Sequence, residues 1–116
     1  MPTYLALHEH TQNGTRAIEE FPERSERAQE LAASMDCEVK DVFLTNGRYD
    51  VAVVLEAPDE MTAKRLALAV TSKGTATTEF QRAFTPKESD EIVAGLPHNP
   101  VEKEVPKHDS RNRSAV

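Results

Sequence analysis

The sequence predicts an α+β fold in which a strand, a helix, a β-hairpin, a second helix and a fourth strand follow one another in a single domain. The chain has 116 residues, which suits one domain with a modest core. Short runs rich in β-formers alternate with two runs of helical periodicity. Between the second and third strand-like runs lies Asn46-Gly47, a strong short-range hairpin signal, because both residues tolerate the positive φ angles of a tight turn.

The first half of the chain contains one strand and one main helix. Thr3–His10 is short, rich in β-formers and bounded by turn-prone residues 11–14, which is typical of a strand. Apolar residues then recur at three- and four-residue steps between Glu and Arg, as in an amphipathic helix. Because proline suits the first turn of a helix and not its middle, we expect this helix from about Pro22 to Met35, after a short turn over residues 15–20.

The hairpin is predicted from Glu38–Thr45 and Tyr49–Glu56, which become antiparallel neighbours. Asp59 can cap the next helix by accepting backbone N–H bonds, and that helix is expected to end near Gly74, a suitable left-handed C-terminal residue. The stretch Thr75–Phe84, rich in Thr and Phe, predicts the fourth strand.

The C-terminal part is predicted to hold a short helix and then a tail. Thr85-Pro86-Lys87-Glu88 has the cap, proline and glutamate of a capping box, and the helix after it carries Ile92, Val93 and Leu96. Residues 97–116 hold three prolines, many charges and few large aliphatic side chains. We therefore expect a domain over residues 1–96 and a disordered polar tail over residues 97–116.

This order of elements is the split β-α-β repeat of a ferredoxin-like β-α-β-β-α-β sandwich with a four-stranded antiparallel sheet. Right-handed crossovers place both long helices on one face of that sheet. The other face would expose apolar side chains in an isolated chain. A second subunit, a ligand or a partner is therefore expected to cover it.

Charge and composition limit the classes of function. The net charge is −6, and residues 1–96 hold 17 of the 20 acidic but only 10 of the 14 basic side chains, which argues against nucleic acid as a partner. The single cysteine, Cys37, allows no internal disulfide and no cysteine metal cluster. The sequence also has no glycine-rich phosphate loop and no further metal ligand indicated by spacing, so no cofactor and no metal are expected. No apolar run approaches the ~20 residues of a membrane span, and Met1-Pro2-Thr3-Tyr4 lacks a signal-peptide pattern. We expect a cytoplasmic protein.

Four segments together resemble the GYD-domain proteins, a family named for a Gly-x-Tyr-Asp motif. They are Met1–Leu5, Thr45–Val51 with Gly47-Arg48-Tyr49-Asp50 inside it, Glu56–Glu60 and Arg82–Thr85. The resemblance spans roughly residues 2–96 and implies the dimeric α/β-barrel type of the ferredoxin-like fold, in which two sheets pack face to face. It implies no reaction.

Five residues are candidates for a ligand site near the start of strand three: His8, Arg48, Tyr49, Asp50 and Arg82. Arg48 and Asp50 could serve as an anion clamp and an acceptor at the rim of a pocket. The structural alternative gives Tyr49 a half-buried position and lets Asp50 accept hydrogen bonds from loop N–H groups. For Arg82 the alternatives are an acidic ligand and an ion pair with a carboxylate of a neighbouring subunit.

His8 and His10 point to the same side of strand one, because side chains alternate along a strand. Two histidines at this spacing can chelate a metal, but no third ligand is indicated by spacing. Histidines at a surface or an interface are the commoner outcome.

Three classes of function compete. The leading hypothesis is a non-catalytic homo-oligomeric domain that binds a small ligand or a protein. The alternative is a cofactor-free oxygenase-like or isomerase-like enzyme of the dimeric α/β-barrel type, which rests on analogy of fold. RNA binding ranks last, because the chain is acidic and lacks the basic and aromatic signature of RNA-recognition sheets.

Overall fold

The fold is described from a computed structural model, which covers residues 1–72 and 74–97. Its four strands form one antiparallel sheet in the order β2-β3-β1-β4. The strands are β1 (Thr3–His10), β2 (Glu38–Leu44), β3 (Val51–Glu56) and β4 (Ala76–Ala83). This confirms the predicted ferredoxin-like sandwich. The predicted disordered tail, apart from Pro97, lies outside the described residues.

The helices begin where local chemistry favours a start. They are α1 (Gln12–Arg16), a 3-10 turn (Ile18–Glu20), α2 (Phe21–Ser34), α3 (Glu60–Thr71) and α4 (Pro86–Ala94). Pro22 lies in the first turn of α2, as predicted. The Asp59 carboxylate accepts a 2.7 Å hydrogen bond from the Thr62 N–H, and α4 has the complete capping box. None of the described helices is long and apolar enough to cross a membrane.

The sheet has two different faces, set by the alternation of side chains along β1. Tyr4, Ala6, His8 and His10 lie on the face that α2 and α3 cover, which we call the inner face. The odd-numbered residues of β1 lie on the opposite, outer face. The inner face carries the core, in which Tyr4 stacks on Phe80 with ring centroids 5.1 Å apart. The buried members of this core are Tyr4, Ala6, Ala32, Cys37, Leu55, Ala57, Ala63 and Leu66.

The hairpin between β2 and β3 is present, but its turn is longer than a two-residue Asn-Gly turn. The loop covers residues 45–50, and only Gly47 in it has a positive φ, of 106°. β3 begins at Val51 and not at Tyr49, because the backbone N–H of Asp50 donates to the carbonyl of His8 at 2.8 Å while its carboxylate bonds elsewhere on β1. The loop is therefore attached to the end of β1.

Candidate functional site

A cavity of about 290 Å³ lies between the inner face of the sheet and helices α2 and α3. We call it the helix–sheet cavity. Much of its helix side is formed by alanines, which leave space above the sheet because their side chains are short. Its apolar wall consists mainly of Ala6, Val51, Val53, Leu55 and Phe80 from the sheet and Ala28, Leu31, Ala63, Leu66, Ala67 and Val70 from the helices. Apolar walls with a few polar groups are typical of small-molecule sites.

The ionisable side chains that line this cavity are all basic. They are His8 and His10 on β1 and Arg24 and Arg27 on α2. Among the described residues, no aspartate or glutamate lines it. In a chain with a net charge of −6 this is a local reversal of sign. The cavity therefore favours an anionic group over a cationic one.

His8 is held in place by the neighbouring strand. β1 and β4 place His8 directly opposite Thr78, and His8 Nδ1 lies 2.8 Å from the Thr78 hydroxyl oxygen. Within the described part of the chain, no side chain bonds to the other ring nitrogen. Burial, together with the nearby His10, lowers the pKa of His8 below 6.5. His8 is therefore mainly a neutral imidazole at pH 7, with one ring nitrogen available to another group.

His10 and Arg24 are positioned by the segment that joins β1 to α2. The His10 ring packs against Phe21, the first residue of α2, with ring centroids 6.1 Å apart. Arg24 Nη1 donates a 2.8 Å hydrogen bond to the carbonyl of Ala17, which connects α1 to the 3-10 turn. Both basic side chains are thus fixed by local contacts of this connecting segment.

A close backbone contact keeps this connecting segment beside β4. The Thr11 N–H donates to the carbonyl of Thr75 at 3.0 Å, and the Thr11 hydroxyl donates to the carbonyl of Gly74 at 2.6 Å. A side chain at Gly14 would overlap the Thr75 carbonyl oxygen, so only glycine fits there. Thr75 itself lines the cavity. The tight contact therefore defines one end of the cavity.

Asp50 and Tyr49 lie beside this end but make other contacts. The Asp50 carboxylate accepts a 2.7 Å hydrogen bond from the backbone N–H of His10, the last residue of β1, and not from a loop N–H group. The Tyr49 hydroxyl donates to the carboxylate of Glu79, which lies on the outer face. Arg48 stands over the Tyr49 ring, 5.3 Å from its centroid. None of these three side chains lines the helix–sheet cavity.

Arg82 lies at the other end of the sheet. It is opposite Tyr4, four residues along β1 from His8, which corresponds to roughly 13 Å. Its guanidinium pairs with Glu88 at 2.9 Å and stands over the Phe84 ring at 4.6 Å. A backbone N–H bond from Thr85 and the Arg82 side chain lower the pKa of Glu88 to about 2. The carboxylate partner predicted on another subunit is thus present within the chain.

The five predicted residues therefore do not converge on one pocket: the loop residues Arg48, Tyr49 and Asp50 lie beside His8 at one end of β1, and Arg82 lies at the other end. His8 alone among them lines the cavity, in the company of His10, Arg24 and Arg27. Arg24 and Arg27 were not predicted as site residues. They lie on α2 among many charged residues, where solvent exposure is the usual expectation, so there was little reason in the sequence to place them at a cavity. Across the described residues, no group of three potential metal ligands is found near His8 and His10.

Outside the cavity, the exposed apolar side chains of the described residues include those of the outer face and of α4. On the outer face, Leu5, Leu7 and Val54 are only half-buried and Phe43 is 52% exposed. On α4 no residue is buried, and Val93 is 65% exposed. The exposed apolar residues of this C-terminal segment are Phe84, Ile92, Val93 and Leu96. Both surfaces are of the kind that other proteins cover.

The sheet order and the two covering helices define the class of protein, a ferredoxin-like α+β sandwich with a cavity between its layers. The family model of the GYD domain matches residues 4–93, so the chain belongs to the GYD-domain family.

The chain is also similar to a protein of Thermus thermophilus named glutamine synthetase and cystathionine beta-lyase binding protein. The two are 34% identical over 79 residues, which are 67% of this chain and 83% of the relative. No solved structure gives a significant match to the chain.

Proposed function

We propose that this chain is a non-catalytic domain that self-associates and binds a metabolic enzyme. The observation that carries the proposal is the exposed apolar surface of α4. This helix has nine residues, and none of them is buried. A helix so short is marginal by itself in water, so packing against another surface would stabilise it.

The chemistry of the partner is inferred from the Thermus thermophilus relative, whose name states that it binds glutamine synthetase and cystathionine beta-lyase. We expect one of these two enzymes to be the partner of this chain. An amphipathic helix usually docks by laying its apolar side into a groove. On α4 that side carries Ile92 and Val93, followed by Leu96 just beyond the helix end.

The test uses the purified full chain with two purified enzymes, glutamine synthetase and, separately, cystathionine beta-lyase. Both enzymes are taken from the organism that encodes this chain. Val93→Asp should weaken binding at least about tenfold, because a desolvated carboxylate opposes docking. Leu68→Asp is the matched control, since Leu68 is also exposed, at 57%, but belongs to a different helix, α3. Equal binding by wild type and Val93→Asp would rule out α4 as the docking surface, and no binding of either enzyme would contradict the proposed partner.

Self-association is proposed through the outer face, which would give the dimeric α/β-barrel arrangement. The support is its apolar strip, with Leu5 and Leu7 on β1, Val54 on β3 and Phe43 on β2 in adjacent register. A second copy placed face to face would remove these side chains from water.

Light scattering tests this directly. We expect a dimer or larger oligomer at micromolar concentration, and Phe43→Glu should shift it towards monomer while Leu68→Glu, on α3, should not. A wild-type mass equal to one chain would overturn the proposed oligomer.

A second candidate function is an enzyme, and the helix–sheet cavity is the observation that favours it. A neutral His8 with lowered pKa, beside apolar walls, is the kind of group that can act as a general base. Any reaction found with a small molecule that binds the cavity should then be lost in His8→Gln with the oligomer and melting temperature retained. A His8→Gln protein with full turnover would exclude this role.

A further inference from the structure

We propose that the helix–sheet cavity binds a small apolar monocarboxylate, with its hydrocarbon part against the valines and leucines of the sheet and helices and its carboxylate at His8, His10 and Arg24. This site lies on the covered side of the sheet, away from α4 and the outer face. The proposal is therefore independent of the proposed protein partner.

The size of the cavity sets the size of the ligand. The cavity has a volume of about 290 Å³. It is just below the range of sites for drug-sized molecules, which begins at ~300 Å³. A medium-length fatty acid or a small aromatic acid has this size.

The wall selects a hydrocarbon body. Val51, Val53 and Leu55 form its floor on β3, and Leu66 and Val70 face them from α3. Of these, Val51, Leu55 and Leu66 are buried. Such a wall offers few hydrogen-bond partners, so a ligand with several polar groups would lose its hydration without compensation.

The basic groups select one acidic head group. His8, His10 and Arg24 line the same cavity, and no described carboxylate lines it beside them. His8 uses one ring nitrogen for Thr78, which leaves the other for a ligand. The lowered pKa of His8 agrees with this, since its causes are burial and a neighbouring histidine, without a counter-charge. A ligand carboxylate would supply the missing negative charge.

Octanoate is the probe, measured by titration calorimetry with the full chain, and 1-octanol is its neutral counterpart. We expect one octanoate per chain and at least about tenfold weaker binding of octanol. Arg24→Gln and His8→Gln should each weaken octanoate binding about tenfold. Arg65→Gln, an exposed arginine on α3 outside the cavity wall, should leave it unchanged.

A second variant tests the location by filling the space. Ala28 is half-buried on α2 and lines the cavity, so Ala28→Leu should fold and abolish octanoate binding. Ala67→Leu, on α3, tests the opposite wall if the first variant does not fold. Three results would each overturn the proposal: no octanoate binding at millimolar concentration, octanol bound as tightly as octanoate, or full binding by a folded cavity-filling variant.

Discussion

The same strands form both faces of the sheet, but the two faces differ in charge, and helices pack on only one of them in the described part of the chain. The inner face lies beneath α2 and α3 and meets basic side chains at His8, His10 and Arg24. The outer face lies opposite to these helices, and its apolar strip is flanked by carboxylates, which include those of Glu9, Asp41, Glu56 and Glu79. One sheet thus presents an apolar cavity with basic groups on one side and an apolar strip with an acidic rim on the other.

A small chain can thus carry two chemically different surfaces on one sheet. In a strand, neighbouring residues point to opposite faces. Val53 therefore lies on the inner face and Val54 on the outer face, although they are adjacent in sequence. The alanines of α2 and α3 leave space inside, while the outer face lacks a covering layer in the described part of the chain. Small ligands suit the first surface and protein partners the second.

The largest expected effect comes from adding a side chain at Gly14, where the connecting segment lies in close contact with the residue before β4. Gly14→Ala would drive a methyl group into the Thr75 carbonyl oxygen, which is backbone and cannot rotate away. We expect a loss of about 3 kcal/mol in the free energy of unfolding, at the upper end for overpacking. Denaturant unfolding measures it.

Gly95→Ala is the control, because its added methyl would meet the carbonyl oxygen of Glu91 at an ordinary 3.4 Å and the φ of Gly95 is −88°. This variant should stay within about 0.5 kcal/mol of wild type. If the two variants were equally stable, the connecting segment would not be held against β4 as described.

Two valines on one strand provide the direct test of the two faces. Val51 lies on the inner face and is 3% exposed, whereas Val54 lies on the outer face and is half-buried. Val51→Ala should cost about 2 kcal/mol and Val54→Ala about 0.5 kcal/mol in the isolated subunit, since less apolar area is lost. Thermal unfolding at low protein concentration measures both.

The same pair also reports self-association. In an oligomer built through the outer face, Val54→Ala should lower stability more strongly at high protein concentration, and Val51→Ala should show no such dependence. Concentration-independent values for Val54→Ala would argue against that interface.

The smallest expected effect is a pH dependence that arises from His8. Because its folded pKa is lower than the 6.5 of the unfolded chain, the unfolded state takes up a proton first as the pH falls. Stability is therefore unaffected above pH 6.5 and falls from there down to the folded pKa. Burial and the nearby His10 both disfavour the added charge.

His8→Asn removes this titration, so its melting temperature should decrease less between pH 7 and pH 5 than that of wild type. His10→Asn serves as the comparison on the same strand and should retain part of the dependence, because burial is the main cause of the shift at His8. Identical pH profiles for wild type and His8→Asn would contradict a buried neutral imidazole.

Much of the fold could be predicted from the sequence because it depends on local signals. Thr3–His10 is the first strand at the predicted residues, and the capping box starts α4 where Thr85 and Glu88 indicated. The Asn46-Gly47 signal identified the hairpin. It did not predict the length of the loop. Asp50 hydrogen-bonds to β1, a strand far away in sequence, and β3 therefore begins only at Val51.

The candidate site was predicted only in part, for a physical reason. Alternation placed His8 and His10 on one side of β1, and this period of two is a property of any strand. The distance between Arg82 and His8 depends on how β1 pairs with β4, and this register is set by contacts across the sheet. In the same way, Arg24 lines the cavity because α2 packs over the inner face.

The elements, their order, the sandwich and the apolar character of both sheet faces could therefore be predicted from periodicity, caps and turns. Three features became visible only once the layers were packed: the cavity left by alanines on α2 and α3, its basic ionisable lining, and the pairing of Arg82 with Glu88. Cavities and ion pairs depend on distances between residues remote in sequence, and these distances are fixed when the layers pack.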